Sequence, residues 1–284
     1  MNPLALDVYM VFGDESGEVV NADAPGVTKP GLPLSARPGH EVSSYRELLK
    51  KIAALSYHNS RFRLLFRGQT RDHVRPGGHS SLYPSIFRPS RSGDRRGELK
   101  ARFAALRVAE ELLKQGLSVR DVHRDQIVRW AILQHYEVVP TPLLDVTRSI
   151  QAALSFALAG ESDEGYLFVL AFPHLTGPVS VSIESLTQVI DLSQVCPPAV
   201  LRPHFQEGLL VGDYPVVDNA ESSHGGKGMI GNNFACRLLG KFRLTTCSRW
   251  ANEGFLATRN DILFPAEDEW LPIVNAIKNK VRTQ

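Results

Sequence analysis

Apolar and polar positions along this chain follow two rhythms, and the change from one to the other predicts where helices give way to strands. Residues 7–12 and 17–20 are short β-prone runs around Gly13-Asp14-Glu15-Ser16-Gly17, a hairpin pattern. Residues 25–39 carry four prolines and three glycines and read as a linker or wrapping segment. The main domain is therefore expected over residues 41–284, with residues 1–40 as an N-terminal extension. Ser44 followed by Glu47 fits a capping box, in which the two side chains satisfy free amides at a helix start. Leu48, Leu49, Ile52, Ala53 and Leu55 then recur at helical spacing. Phe62-Arg63-Leu64-Leu65-Phe66 reads as a strand that delivers Arg67.

Residues 71–97 are rich in Gly, Ser, Pro and Arg and predict a long loop, of the kind that is functional or disordered in a compact domain. Helices are expected over about residues 97–115 and 121–136. The second carries Val122, Ile127, Val128, Trp130, Ala131, Ile132 and Leu133, too apolar for a surface helix, so it should be central. Pro140 and Pro142 forbid its continuation and bound a turn over the following residues. Thr147 or Ser149 starts a third helix, with Ala152, Ala153, Phe156 and Ala157 allowing close packing. From Tyr166 the alternation becomes strand-like, over 166–172, 179–183, 189–192, 209–211 and 242–246, with a glycine-rich loop at 225–231. Residues 267–281 close the chain as a helix. Helices first and mostly strands second predict an α+β fold.

Composition narrows the picture. With 284 residues and 43% hydrophobic content, a sizeable core can form. A net charge of +2 predicts a nearly neutral protein. No run of about 18 apolar residues predicts a membrane span, and the N-terminal residues lack the pattern of a secretory signal. The three cysteines, Cys196, Cys236 and Cys247, form no CxxC pair, which argues for a reducing, cytoplasmic setting and against structural zinc. No metal is expected.

Candidate chemistry concentrates where polar side chains follow apolar runs. Arg67-Gly68-Gln69 ends one such run; His135, Tyr136, Asp145 and Thr147 cluster after another. Each has a plainer role available: an Arg67–Asp145 pair locking two segments, a satisfied structural His135, a packed Tyr136, Thr147 as a helix cap, Asp145 holding turn amides. Arginines between residues 61 and 102 concentrate positive charge that can track phosphates. His123-Arg124-Asp125 lacks the rest of a kinase signature, and Gly225-Gly226-Lys227-Gly228 lacks the spacing of a P-loop.

These motifs resemble the FRG domain family. The chain supplies Phe66-Arg67-Gly68-Gln69, Tyr83-Pro84 with Arg88, Gln134-His135-Tyr136, Pro140-Thr141-Pro142-Leu143-Leu144-Asp145-Val146-Thr147 and Ala153-Leu154-Ser155-Phe156-Ala157. Gln206-Glu207-Gly208 and Leu263-Phe264-Pro265 extend the resemblance over about residues 41–281. Two positions depart from the family pattern: Glu137 stands where it has glycine, and Val146 where it has an aromatic.

The order of features is also similar to that of Arg-Ser-Glu-type mono-ADP-ribosyltransferases, which implies an ADP-ribosyltransferase-like fold: a split mixed and antiparallel sheet with an N-terminal helical part. That likeness implies NAD as substrate. Arg67, Gly68, Gln69, Tyr136, Asp145 and Thr147 would bind it, and Glu207 would be the catalytic carboxylate. Gln206 is the alternative if the register slips by one, Tyr136 or His135 would line the ring, and Thr147 would orient the ribose or Arg67. A guanidinium grips a pyrophosphate in a fork lysine cannot make, and a carboxylate stabilises an oxocarbenium-like state. A toxin, an effector or an anti-phage defence component, acting on a protein or nucleic-acid acceptor without a membrane, would suit that chemistry. Two alternatives stand beside it: a nuclease using His135 as general base, and a non-catalytic module that binds a nucleotide or peptide.

Overall fold

The computed structural model describes residues 9–11, 18–21, 33–88, 94–160, 162–174, 176–215 and 233–283. The glycine-rich loop 225–231, the hairpin turn 13–17 and linker residues 25–32 lie outside them.

In chain order, β1 (Tyr9–Val11), β2 (Val19–Asn21) and β3 (His40–Val42) precede α1 (Tyr45–His58) and β4 (Phe62–Gln69). Next come α2 (Arg95–Gly116), α3 (Arg120–Arg124), α4 (Gln126–His135), β5 (Leu143–Thr147), α5 (Ile150–Ala157) and β6 (Gly165–Pro173). The second half holds β7 (Val179–Ser182), β8 (Thr187–Asp191), α6 (Leu192–Val195), α7 (Leu201–Phe205), β9 (Gly208–Asp213), β10 (Leu238–Leu244), α8 (Asn260–Leu263) and α9 (Leu271–Arg282). Helices and strands are mixed, and both parallel and antiparallel pairings occur.

The chain forms two compact units, each assembled from separated segments. The first comprises Met1–Leu82, Val146–His174 and Asn233–Leu263; the second, Tyr83–Asp145, Leu175–Asn232 and Phe264–Gln284.

In the first unit the strand order is β2-β1-β10-β6-β4. The expected hairpin is present, with Met10 opposite Val20, and β3 pairs parallel with β10. One face of this sheet is apolar: Phe66, Leu167, Val169, Ala171, Phe242 and Leu244 pack with Leu48, Ile52 and Leu55 of α1 and with Ala153, Leu154 and Ala157 of α5. The Ser44 cap is as the sequence predicts, its hydroxyl accepting from the Glu47 amide at 3.2 Å. The same hydroxyl donates to Glu253 at 2.8 Å.

In the second unit β7, β8 and β9 form an antiparallel ladder, and α2, α4 and α9 carry the core with Trp130, Leu133, Leu113, Val274 and Ile277. The helix expected over 121–136 breaks at Asp125, whose backbone is extended. The carbonyls freed by that break are taken by Arg129, which donates to Val122 O at 2.7 Å and to His123 O at 3.3 Å. Arg129 also forms a buried ion pair with Glu110 at 2.6 Å, and Trp130 Nε1 donates to the same carboxylate at 3.1 Å. A nearly all-apolar helix therefore carries one internal charge whose partner lies on α2. The segment read as a turn through Thr147 contains β5. The turn is confined to residues before Leu143, because Pro140 and Pro142 interrupt only those and leave Leu143–Thr147 to extend as a strand.

Candidate functional site

Polar side chains gather in two groups, one in each unit.

The first is built on β4. Side chains alternate across a strand, so Phe66 and Gly68 face α5 while Arg67 and Gln69 face the other way. Gly68 is required sterically: a Cβ there would lie 1.6 Å from the Ala153 carbonyl oxygen. Directly opposed residues share a sheet face, and Arg67 opposes Phe168 while Gln69 opposes Tyr166. On the next strand Lys241 opposes Phe168 and Arg243 opposes Tyr166. The face thus carries, row by row, Arg67–Phe168–Lys241 and Gln69–Tyr166–Arg243. The Tyr166 and Phe168 rings lie nearly parallel, centroids 6.3 Å apart.

The chain leaving β4 folds back over this face. Asp72 reaches Lys241, two strands away, in an ion pair of 2.6 Å, and both side chains are almost wholly buried. Asp72 Oδ2 also accepts from Ser80 Oγ at 3.1 Å. Lys241 Nζ donates in addition to the Arg37 carbonyl. Burial, then the Asp72 charge, pushes the Tyr166 hydroxyl above its ordinary range, so it stays protonated. Asp72 Oδ1 and Gln69 Oε1 are buried and find no donor among the described residues.

The second group surrounds the end of α4. His135 is buried, with Nδ1 3.6 Å from Asp145 Oδ1. Burial holds its pKa below the ordinary histidine value, against the opposing hydrogen bond to Asp145. The imidazole is therefore neutral at pH 7. Gly208, at the start of β9, makes room for this ring: a Cβ there would meet His135 Cε1 at 2.9 Å. Asp145 Oδ2 accepts from Gln134 Nε2 at 2.9 Å. Gln134 Oε1 in turn accepts from Ser85 Oγ at 2.6 Å and from Thr141 Oγ1 at 3.0 Å. Arg88 feels the Asp145 charge, which opposes the lowering of its pKa by burial. Tyr136 is buried and its hydroxyl lies 2.8 Å from both oxygens of Asp268. Asp268 also accepts from the amides of Arg202 at 2.7 Å and Trp270 at 3.0 Å. The Arg202 guanidinium stacks over Tyr136 at 5.4 Å and Phe264 at 4.6 Å.

Several expected site residues take other positions. Thr147 opposes Phe66, so its side chain shares the face covered by α5 and not the face of Arg67. Its hydroxyl accepts from the Ser149 amide at 2.9 Å, and Ser149 caps α5 through the Ala152 amide at 3.2 Å. Thr147 is thus placed to order the helix start rather than to orient Arg67. Tyr136 is held inside the second unit by Asp268 instead of lining a cleft with its ring. His135 and Asp145 do meet, as a His–Asp pair. Gln206 is buried at the end of α7, and Glu207 is exposed with a left-handed backbone, φ +45°.

Sequence reading missed Asp72, Lys241 and Tyr166 in the first group, and Gln134, Arg202 and Asp268 in the second. Lys241 was findable: a lysine inside the apolar run Leu238–Leu244 points to a buried partner. Asp72 and Asp268 carry no such signal, because each sits in an irregular segment whose path only the fold sets.

Among the described residues no helix is long and apolar enough to cross a membrane, and no cluster of His, Cys, Asp or Glu is arranged to hold a metal ion. The FRG domain family model matches residues 62–165. That span runs from β4 to the first residue of β6 and includes Arg67-Gly68-Gln69, Gln134-His135-Tyr136, Asp145 and α5. No curated protein and no solved structure matches the chain.

Proposed function

From an FRG domain match over residues 62–165, we propose that the protein is an NAD-consuming enzyme of the mono-ADP-ribosyltransferase kind, with the Arg67 face of β4 as its dinucleotide-binding surface. The observation that carries this reading is the make-up of that face. Arg67 shares that face with Gln69, Tyr166 and Arg243, all partly exposed, while Phe168 and Lys241 lie buried among them. A dinucleotide offers what such a surface takes: a pyrophosphate for the guanidinium fork and a flat ring for the partly exposed Tyr166.

In this reading Arg67 grips the pyrophosphate and Gln69 contacts a ring or ribose. Gly68 acts by letting α5 close on the strand behind them. The reaction needs a carboxylate to oppose the charge developing on the ribose as the bond to nicotinamide breaks, and Glu207 is the residue to test for it by substitution, with Asp145, held by neutral His135 and the Gln134 amide, as the second. The acceptor of the ADP-ribose is a nucleophile on a macromolecule, and roles as a toxin, effector or phage-defence component in the cytosol follow from that chemistry alone.

The test is release of free nicotinamide from NAD by the purified protein. Arg67→Ala is expected to lower release at least 100-fold while the protein keeps its melting temperature. Unchanged release in that variant, or none in the wild type, removes the proposal. The nuclease alternative needs His135 as an accessible base. The ring is buried against Gly208, so His135 is better suited to holding Asp145.

A further inference from the structure

β7 ends the β9-β8-β7 ladder of the second unit, and among the described residues no strand but β8 pairs with it. Bonds at both sides of the ladder fix which main-chain groups point out of the sheet. Val179 opposes Ile190, and the Asp191 amide donates to the Pro178 carbonyl at 2.8 Å. Hydrogen-bonded pairs alternate along an antiparallel ladder, so Pro178, Ser180 and Ser182 turn toward β8. The pairing of β8 with β9 agrees. Thr187 opposes Asp213, and the Tyr214 amide donates to the Leu186 carbonyl at 3.0 Å. Gln188 and Ile190 therefore turn toward β9, which leaves Thr187 and Val189 for β7. The N–H and C=O groups of Val179 and Val181 thus point away from the sheet. Neither residue makes a backbone hydrogen bond outside the ladder among the described residues.

An open strand edge is a template for a further strand, and proteins that keep an edge single guard it with lysine, proline or a bulge. β7 has none of these. It reads Val-Ser-Val-Ser and pairs with β8 without a break in register. No charged residue lies between Thr176 and Ile183. The edge is also apolar in the open: Val181 is 39% exposed, and in the turn after it Ile183 is 75% and Leu186 56% exposed. We propose that β7 pairs with β7 of a second copy of this chain, antiparallel, around a two-fold axis at Ser180. That register alone gives both outward residues a partner within the strand. Val179 of one copy faces Val181 of the other, and each such pair exchanges both main-chain bonds. Like meets like: valine lies beside valine on one face, and Ser180 meets Ser180 across the axis. Glu184, the first charge after the strand, faces no like charge in this arrangement, whereas a parallel pairing sets the two Glu184 carboxylates side by side. A self-complementary contact of this kind closes on itself and stops at a dimer. The inference is independent of the NAD reading.

The experiment is sedimentation velocity of the full chain across a concentration series. The mass is expected to rise from 31.4 kDa toward twice that value. Ser180→Lys and Ser180→Glu each place like charges directly opposite one another across the axis. Each is expected to weaken self-association at least about tenfold at an unchanged melting temperature. An equimolar mixture of the two is expected to restore association, which a merely structural effect of either change would not do. Under mild oxidation Ser180→Cys should form a disulfide-linked dimer, while Ser182→Cys, displaced from the axis, should not. The wild type is the control for exposed Cys236. If the charged variants do not fold, the Val181 amide of the wild type decides, since its hydrogen exchange should slow as concentration rises. A chain that stays monomeric up to about 0.5 mM overturns the inference and leaves the edge to a strand of another protein. A dimer that both charged variants keep also overturns it, because that dimer uses another surface. So does a Val181 amide already protected in the monomer, because the edge is then covered within one chain.

Discussion

Asp268 and Asp72 are both buried carboxylates, and the protein treats them differently. Asp268, in the second unit, receives the Tyr136 hydroxyl and the amides of Arg202 and Trp270, so both oxygens are engaged. Asp72, in the first, receives Lys241 and Ser80 on one oxygen and leaves the other buried and bare. A saturated buried carboxylate ties segments distant in sequence, here residues 136, 202 and 268, and its work is done once the chain has folded. An unsaturated one is a standing cost that the rest of the unit carries, and such costs collect where a ligand repays them. The contrast extends to the surroundings. The Asp268 carboxylate is a lock with both oxygens engaged, while beside Arg67 the buried Asp72 Oδ1 and Gln69 Oε1 find no donor among the described residues.

The largest effect that can break this comparison is on stability. Asp268→Ala leaves a hydroxyl and two amides without acceptors and is expected to cost about 4 kcal/mol in urea unfolding. Arg67→Ala, on a half-exposed strand position, is expected to cost less than about 1 kcal/mol while abolishing nicotinamide release. Equal losses of stability in the two variants would erase the distinction between lock and binding face. Tyr136→Phe sharpens it. Removing only the hydroxyl deletes one charge-assisted bond to Asp268 and is expected to cost about 2 kcal/mol, with release rates unchanged after correction for folded protein. A loss of activity without loss of stability would return Tyr136 to the ligand.

His135 offers a test by pH. Burial holds its folded pKa below the ordinary value of 6.5, with Asp145 opposing and Arg202 reinforcing the shift. Between the folded and unfolded values the unfolded chain binds more protons, so stability is complete above pH 6.5 and declines as the pH falls through that window. The slope cannot exceed about 1.4 kcal/mol per pH unit for one group. His135→Gln keeps a polar side chain and removes the proton site. The difference in melting temperature between pH 7.5 and pH 5.5 should therefore be smaller in the variant than in the wild type. An identical acid decline in both would show that His135 does not titrate on unfolding.

Much of this was legible in the residues. Apolar spacing placed α1, α2, α5, α9 and β6 to β9, because each buries one face or nearly all of itself and must repeat accordingly; the last strand, expected over 242–246, runs from Leu238 to Leu244. The Arg67-Gly68-Gln69 segment was legible as the polar end of an apolar strand, which is where β4 carries it. The faces were less legible. Thr147 looked like a partner for Arg67, but the pairing of β5 with β4 turns it toward α5, and register is decided by contacts far apart in sequence. Asp72 and Asp268 were invisible for the same reason: a carboxylate in a loop becomes buried only when the path of that loop is known.

Glu137 and Glu207 give the finest test, because they share a backbone state and differ in assigned role. Both are non-glycine residues in the left-handed region, φ +54° and +45°, where a side chain is strained by roughly 1 kcal/mol. Glu137 holds a backbone state that glycine adopts without strain. Its carboxylate, 3.7 Å from Arg202 and largely exposed, is a surface ion pair that contributes little. Glu137→Gly should relieve strain, partly offset by the greater freedom of glycine in the unfolded chain, for a net gain of about 0.5 kcal/mol and no change in nicotinamide release. Glu207→Gly should give a similar small gain in stability. If Glu207 is the carboxylate that meets the oxocarbenium-like ribose, the same change should lower release at least 100-fold, because nothing else at that position carries the charge. Two variants with matched stability and opposite activity would separate backbone strain inherited from a turn from strain kept for chemistry. Full activity in Glu207→Gly would strip Glu207 of its role and leave Asp145, already oriented by His135, as the carboxylate to test.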